Sequence, residues 1–287
     1  MNLAPVILDR FKGENIPAEV LLIAGTPPVL RKGKSFEKLV ERSITPEDIR
    51  ETLAALRQHV AGKVKLEPEK GLFSFGLSGV GRVRVIYFTQ RGSLVIFVAK
   101  TPFSPPHLEE IIGEEEKIKE LECCINEKKL IKVVAPSNTV YTLFTMSFLN
   151  YIGNKYQRVI YTLERPLSYL LKHSQSIFIQ REVGIDLSDL DEGMREAVMV
   201  EPDLVYINDI YYSTREIIEF IRHFYPYPFT VIFGSVGFSF EEVLNFIIAH
   251  RDGFVVELVD EVWLITEKEY KYFVEIKREL KKEQPQV

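Results

Sequence analysis

The sequence predicts a protein of the α/β class in which a small α+β domain precedes a domain built on a mainly parallel sheet. Three observations support this prediction. The chain has 287 residues, which is enough for two modest domains. Hydrophobic residues make up 46% of it, so a substantial core can form. Strand patterns surround one helix pattern in the first hundred residues, whereas strands and helices alternate from Leu130 onwards.

Strand patterns dominate the first domain, which we place at residues 1–105. The segment SITPEDIRETLAALRQHV predicts its helix, because Thr45 is a favourable N-cap and Pro46 suits the first helical position. The segments RVRVIYF and SLVIFVAK are rich in β-branched and aromatic residues and are separated by TQRG, which predicts a β-hairpin. Further strands are predicted at AEVLLIAG and PPVLRKG.

A change of composition separates the two domains. Residues 106–122 pass from a proline-rich segment into a charged helical stretch, which we interpret as a linker and lead-in helix. Strands and helices then alternate through residues 123–253, which indicates βαβ units. The strand patterns are LIKVV, QRVIYTL, DLVYIND and FTVIFG, and the helix patterns are TLFTMSFLNYI, LDEGMREAVMV, TREIIEFIRHF and FEEVLNFIIAH. Residues 254–287 predict two short strands and a charged terminal helix that carries Tyr270, Phe273 and Leu280.

Composition and charge exclude several classes of protein. The formal net charge of −5 argues against a general nucleic-acid binder, which normally has a basic surface. The N-terminal segment lacks the pattern of a signal peptide, and no apolar run is long enough to span a membrane, so we expect a cytoplasmic protein without direct membrane insertion. The adjacent Cys123 and Cys124 are expected to be reduced, and the scattered histidines predict no metal site.

The segment IKVVAPSNTVYT, residues 131–142, has the strand, loop and helix layout of a phosphate-binding loop. Such a loop needs glycines, so that backbone N–H groups can close around phosphates, and a lysine that reaches the phosphates. This loop contains neither residue type. The local sequence therefore leaves open whether it is a degenerate nucleotide site or never was one.

Motifs elsewhere in the chain bear on that question. They are SGVGRVRVIYFTQRGSL at 78–94, SIFIQREVGID at 176–186, EPDLVYIND at 201–209 and GTPPVLRKG at 25–33. In order and spacing, across roughly residues 18 to 250, they resemble the PilT-type ATPases, the retraction motors of type IV pili within the secretion ATPase family. This resemblance implies a PAS-like N-terminal domain, a RecA-like core at 123–253 and assembly into a ring.

The resemblance places the degenerate loop at Ala135, Pro136, Ser137, Asn138, Thr139, Val140, Tyr141 and Thr142. The family form is G-P-T-G-S-G-K-S, so the three glycines are replaced here and the lysine is replaced by Tyr141. Val140 is β-branched and resists positive φ, and Tyr141 removes the cation that neutralises the phosphates.

Three further family motifs are altered as well. Within TLERPLS, Glu164 remains but the next acid has become Arg165. The Walker B end, G-E in the family, is Asn208–Asp209, and Gly237 stands where the family has a histidine. Since losing one transition-state donor costs about 3 kcal/mol, these losses together predict no catalytic residues, only the remnants Glu164 and Asp209. We therefore expect no cofactor and a pseudo-ATPase with a structural or regulatory role.

The resemblance also suggests partners and an alternative. Arg82, Arg84 and Arg91 remain, and in the family arginines of this strand reach a nucleotide held by the neighbouring subunit; ordinary ion pairs are the competing explanation. We expect protein contacts with an intact pilus ATPase or a pilus base component, in a homomeric or mixed ring. The alternative is a divergent NTPase or nucleotide sensor that uses Glu164, Asp209 and Thr142 with ATP and Mg²⁺.

Overall fold

A computed structural model describes residues 1–12, 18–32, 35–60, 67–126, 130–209, 216–217, 220–221, 223–224, 228–236, 261–268 and 271–278. The chain divides into two compact units. The first unit comprises Met1–Ser104 with Ser168–Leu170, and the second comprises Pro105–Leu167 with Leu171–Val287. The finer domain boundaries given by the sequence stay predictions.

An antiparallel sheet with two helices forms the first unit. Its elements are α1 (Ala4–Phe11), β1 (Ala18–Ile23), β2 (Val29–Lys32), β3 (Ser35–Lys38), α2 (Pro46–Arg57), β4 (Gly71–Leu77), β5 (Gly81–Gln90) and β6 (Ser93–Thr101). The strand order is β3-β2-β1-β6-β5-β4, and every neighbouring pair is antiparallel. The predicted α+β composition of this region is therefore observed, whereas α1 and β3 were not predicted. The PAS-like character stays a prediction.

Helix α2 begins as its sequence predicts. The Thr45 hydroxyl accepts a hydrogen bond from the Asp48 N–H at 3.2 Å, and the Asp48 carboxylate accepts one from the Thr45 N–H at 2.9 Å. This reciprocal capping box satisfies two N–H groups at the start of the helix. The apolar positions Ile49, Leu53 and Leu56 are all buried, so this face of α2 joins the core of the first unit.

Strands β5 and β6 form the predicted hairpin. Arg91 and Gly92 have φ values of 51° and 77°, which is the backbone of a tight type I′ turn. Side chains alternate between the two faces of β5. Val83 and Val85 point into the core, and the partly exposed Arg82 and Arg84 point to the opposite face.

A mainly parallel sheet forms the second unit. Its elements are α3 (Leu108–Ile111), α4 (Glu115–Cys124), β7 (Leu130–Ala135), α5 (Asn138–Lys155), β8 (Val159–Arg165), β9 (Ile177–Glu182), α6 (Leu190–Val200), β10 (Leu204–Asp209), β11 (Thr230–Val236), β12 (Glu261–Lys268) and β13 (Lys271–Arg278). The strand order is β13-β12-β7-β11-β10-β8-β9, and only the pairing of β12 with β13 is antiparallel among these strands. The predicted fold class is confirmed.

The two faces of this sheet carry different helices. On one face, α5 packs Phe144 and Phe148 edge-on against Trp263 of β12, with ring centroids 6.4 and 5.2 Å from the indole. On the other face, Leu163 of β8 and Ile207 of β10 belong to a buried cluster that includes residues of α6. Odd-numbered residues of β8 and β10 therefore face α6, and even-numbered residues face α5.

Two details differ from the sequence prediction. The predicted terminal helix is wrong over residues 271–278, which form strand β13 with Val274 buried and Phe273 exposed. Alternation with a period of two, rather than helical spacing, sets this pattern. The other two residues of that prediction, Tyr270 and Leu280, lie outside the described residues, as does the predicted helix at 240–250. Strand β9 was not predicted as a strand.

The predicted helix at 214–224 lies largely outside the described residues. Both cysteines are free thiols, as predicted, with Cys123 exposed and Cys124 buried. Among the helices of the described segments, none combines the length and the hydropathy that a membrane crossing requires.

Candidate functional site

The loop between β7 and α5 is too short to curl around a phosphate. Strand β7 ends at Ala135 and α5 begins at Asn138, so only Pro136 and Ser137 lie between them. The Ser137 hydroxyl accepts a hydrogen bond from the Val140 N–H at 3.2 Å, as an N-cap does. A phosphate-binding loop instead bends through these positions so that their N–H groups line a concave nest. Here residues 138–140 form the first turn of a helix.

Tyr141 stands where the resemblance expects the phosphate-binding lysine, and its side chain enters the protein core. It is 2% exposed, and its hydroxyl donates to the Ile207 carbonyl oxygen of β10 at 2.9 Å. Its ring lies 5.8 Å from that of Tyr206. A Cβ atom placed on Gly234 of β11 would be 2.3 Å from a carbon of the Tyr141 ring. Burial raises the pKa of Tyr141 well above its ordinary value, so the phenol stays neutral.

Further hydrogen bonds fasten α5 to β10. The Asn208 side-chain amide donates to the Thr142 hydroxyl at 3.0 Å. One turn later the Thr145 hydroxyl contacts the Tyr206 hydroxyl at 3.0 Å and donates to the Tyr141 carbonyl oxygen at 2.7 Å. Thr142 is the residue that the alternative prediction assigns to a metal ion, and its hydroxyl is here a partner of a neighbouring amide.

Glu164 is fully buried on the α5 face of the sheet. Its carboxylate accepts hydrogen bonds from the Thr162 hydroxyl at 2.8 Å and from the Gln180 amide at 3.2 Å. In the register of the parallel sheet, Glu164 lies beside Asn208. Glu164, Asn208 and Thr142 therefore form one polar group above the carboxyl ends of β8 and β10.

Asp209 lies on the opposite face, where it pairs with Arg165. The two residues are register partners on β10 and β8, and Arg165 Nε lies 3.2 Å from Asp209 Oδ2. The N–H bond is not aimed at this oxygen, so the contact is an ion pair rather than a hydrogen bond. The Asp209 side chain is 0% exposed, and that of Arg165 is 20% exposed. Alternation along the strands thus separates the two carboxylate remnants, Glu164 and Asp209.

The three predicted arginines do not gather at one point. Arg82 and Arg84 are neighbours on one face of β5, and the Arg82 guanidinium donates to the Ser74 hydroxyl at 2.6 Å. Burial lowers the pKa of Arg84, which the charge of Glu19 partly offsets. Arg91 lies in the β5–β6 turn, seven residues along the strand from Arg84 and thus roughly 20 Å away.

Sequence reasoning missed three parts of this arrangement. Gln180 was quoted in a motif but given no role, and Gly234 was read as an ordinary strand residue. The pairing of Arg165 with Asp209 was also missed, although both residues end strands that were predicted to be parallel. Arg165 and Asp209 each stand at the carboxyl end of a predicted parallel strand, and this shared position could have indicated the pair.

These residues do not fit a nucleotide and its metal ion in the family manner. The loop is a helical turn, the lysine position carries a buried phenol, and a guanidinium lies against the Walker B carboxylate. Across the described segments there is no group of three or more histidine, cysteine, aspartate or glutamate residues that could hold a metal ion. Whether the chain binds any cofactor stays a prediction.

Comparison with known proteins shows which proteins the chain resembles. No protein-family model matches it. It is 24% identical over 203 residues to the type IV pilus ATPase PilU of Pseudomonas aeruginosa, a match that covers 71% of this chain and 52% of PilU. It is 25% identical over 207 residues to the type IV pilus retraction ATPase PilT of the same organism, a match that covers 71% of this chain and 58% of PilT. The chain thus spans little more than half the length of these relatives.

Solved structures share its fold, among them two that are similar to the chain over most of its length. The pilus retraction motor PilT with bound ADP superposes with a TM-score of 0.70 at 19% identity, covering 96% of this chain and 82% of the motor. The ATPase DotB of Legionella pneumophila gives a TM-score of 0.66 at 13% identity, covering 96% and 81% of the two chains. In sequence the chain therefore resembles the type IV pilus ATPases PilU and PilT, and it shares its fold with the PilT motor and DotB.

Proposed function

We propose that this chain is a PilT-like pseudo-ATPase, which acts through protein contacts in a type IV pilus, in twitching motility or in a related secretion system. The burial of Tyr141 is the observation that carries the proposal. A lysine at this position would extend toward phosphates, whereas the phenol hydroxyl donates to the Ile207 carbonyl inside the core. Binding phosphates here in the family manner would require this side chain to leave its packed position.

The electrostatics of the site support the same conclusion. Phosphoryl transfer relies on cations that neutralise the phosphates and on a carboxylate that orients the attacking water. At the loop, the lysine cation is absent and a neutral phenol replaces it. At β10, the Asp209 carboxylate pairs with Arg165, so its charge is directed toward the protein rather than toward water or a metal ion. Each loss alone costs about 3 kcal/mol of transition-state stabilisation.

The proposed partners are other components of the pilus machinery, in the cytoplasm. The relatives are named as type IV pilus ATPases, and this chain retains Arg82 and Arg84 side by side on β5. The partly buried Arg84 has Glu19 as a nearby opposite charge, and Glu19 in turn pairs with Arg31. A guanidinium in this position can bind an anion on a neighbouring subunit, in a homomeric or mixed ring.

Calorimetric titration of nucleotide-free protein with ATP and ADP, in the presence of Mg²⁺, tests the nucleotide part of the proposal. We expect no binding heat at high protein concentration and no phosphate release, with an intact PilT-type ATPase as the positive control. Micromolar binding without turnover would favour the sensor alternative. Turnover that Asp209→Asn abolishes would refute the pseudo-ATPase proposal and establish the divergent NTPase.

Addition of the chain to an intact PilT-type ATPase tests the partner part. We expect the two proteins to co-purify and the turnover of the intact enzyme to change. Arg84→Gln should reduce that change, whereas the matched variant Arg50→Gln, at an exposed arginine paired with Glu47, should not. Absence of co-purification and of any change in turnover would contradict this part.

A further inference from the structure

We propose that Arg165 is a built-in cation that takes the place of a divalent metal ion at Asp209, and that it makes this end of the sheet stable without metal. This inference rests on the proposed function, since it explains how a former nucleotide site keeps a buried carboxylate. It assigns to Arg165 a role that neither the sequence patterns nor the comparisons give.

The position of Asp209 creates the need for a positive charge. Its side chain is 0% exposed at the end of a central strand, on the face that carries α6. An ionised carboxylate in such a place is strongly destabilising unless a cation or several hydrogen bonds compensate it. In nucleotide-binding members of P-loop folds, an acid at the end of this strand holds the metal ion.

The register between β8 and β10 places the positive charge of Arg165 beside the Asp209 carboxylate. Arg165 is the direct neighbour of Asp209 in the parallel pairing of β8 with β10, and its Nε atom lies 3.2 Å from Oδ2. The same guanidinium also acts on Asp189, the N-cap of α6. The pKa of Asp189 is lowered mainly by hydrogen bonds from the Glu192 N–H, with a smaller contribution from the charge of Arg165. The charge of Arg165 thus acts on two carboxylates of the second unit.

This arrangement differs from an ordinary surface ion pair. On the neighbouring strand β9, Arg181 pairs with Glu196 at 2.9 Å, but their side chains are 30% and 28% exposed. Water solvates both of these groups, so removal of either has a small effect. Removal of Arg165 instead takes the neighbouring guanidinium away from a carboxylate whose side chain is 0% exposed. Replacement by aspartate goes further, because it restores the acid of the family motif and places two carboxylates together.

Thermal unfolding monitored by Trp263 fluorescence, in EDTA or in millimolar Mg²⁺ or Mn²⁺, tests the inference. Unmodified protein should melt at the same temperature in all three solutions. Arg165→Gln should lower the melting temperature by about 10 °C, the shift expected from breaking a buried pair. Arg165→Asp should lower it further in EDTA and recover part of the loss in Mg²⁺ or Mn²⁺. That recovery should vanish in the double variant Arg165→Asp/Asp209→Asn.

Two controls separate charge from packing. Arg165→Lys keeps the charge and should retain most of the melting temperature, and Arg181→Gln should shift it by only about 2 °C. If Arg165→Asp does not fold, the pair Arg165→Gln and Arg165→Gln/Asp209→Asn decides the question. The second substitution should restore most of the loss caused by the first.

Three results would overturn the inference. They are metal stabilisation of the unmodified protein, a metal-independent Arg165→Asp variant that folds, or no recovery in Arg165→Gln/Asp209→Asn. A different result would refute the proposed function. If the protein turns over ATP but its melting temperature does not change with metal, only the pseudo-ATPase proposal is refuted.

Discussion

Gly234 allows a direct test of how Tyr141 is held. A Cβ atom at Gly234 would lie 2.3, 2.4 and 2.7 Å from three carbons of the Tyr141 ring, and these are the nearest atoms to it. Ordinary carbon contacts begin near 3.5 Å, so the ring would have to move by about 1 Å. The ring is 2% exposed and tethered to the Ile207 carbonyl oxygen, which leaves little room for that movement.

We therefore expect Gly234→Ala to reduce the free energy of unfolding by about 3 kcal/mol, from overpacking and a weakened hydrogen bond. Tyr141→Ala alone should cost about 4 kcal/mol, as other losses of a buried aromatic side chain do. In the Tyr141→Ala background the obstructing ring is gone. There Gly234→Ala should cost less than about 1 kcal/mol, so the two substitutions should be non-additive by at least about 2 kcal/mol.

Urea unfolding followed by Trp263 fluorescence measures these values in the second unit. Trp263 is the one tryptophan of the chain, and it contacts Phe144 and Phe148 on the same helix as Tyr141. Gly113→Ala is the matched control, because a Cβ atom there would meet no other atom within 4 Å. An equal cost of Gly234→Ala with and without the tyrosine ring would refute the proposed position of Tyr141.

Three further predictions concern single groups. Lys132 is 1% exposed, and burial lowers its pKa to about 8. Because this folded pKa lies below the unfolded value, the free energy of unfolding should rise by roughly 3 kcal/mol from pH 8 to 10.5. Urea unfolding measures this rise, and Lys132→Met should abolish it. Ser137→Ala should cost about 1 kcal/mol in the same assay, because it removes the cap of α5. A hydrogen bond from Arg42 is the main cause of the lowered pKa of Asp48. The unmodified protein should therefore melt at a higher temperature than the Asp48→Asn variant, and this difference should shrink as the pH falls below 3.8.

Much of the second unit followed from local patterns. Apolar runs such as LIKVV and DLVYIND became buried parallel strands, because strands covered on both faces need apolar residues at every position. Strand β9 was missed because its sequence, IFIQRE, is half polar, as suits a strand at the edge of a sheet. The terminal segment was taken for a helix because its charges suggested an exposed helical face. The buried Val274 beside the exposed Phe273 shows the period of a strand instead.

The site was only partly predictable. The sequence showed that a tyrosine replaces the family lysine, but it could not show that the side chain turns inward. That direction depends on the space above Gly234 and on the Ile207 carbonyl, which lie 93 and 66 residues further along the chain. The separation of Glu164 from Asp209 was also hidden, since it depends on the register between β8 and β10.

If the chain is a pseudo-ATPase, as proposed above, the contact between Tyr141 and Gly234 makes a return to nucleotide binding difficult along any path of single substitutions. A change of Tyr141 to lysine removes a buried ring and leaves a cation inside the core, before any phosphate is present to compensate it. The other ancestral changes, at the loop and at Arg165, give no benefit while the tyrosine ring stays in place. Folding stability would thus select against each first step back, and the loss of the lysine would become permanent through packing rather than through the chemistry of ATP.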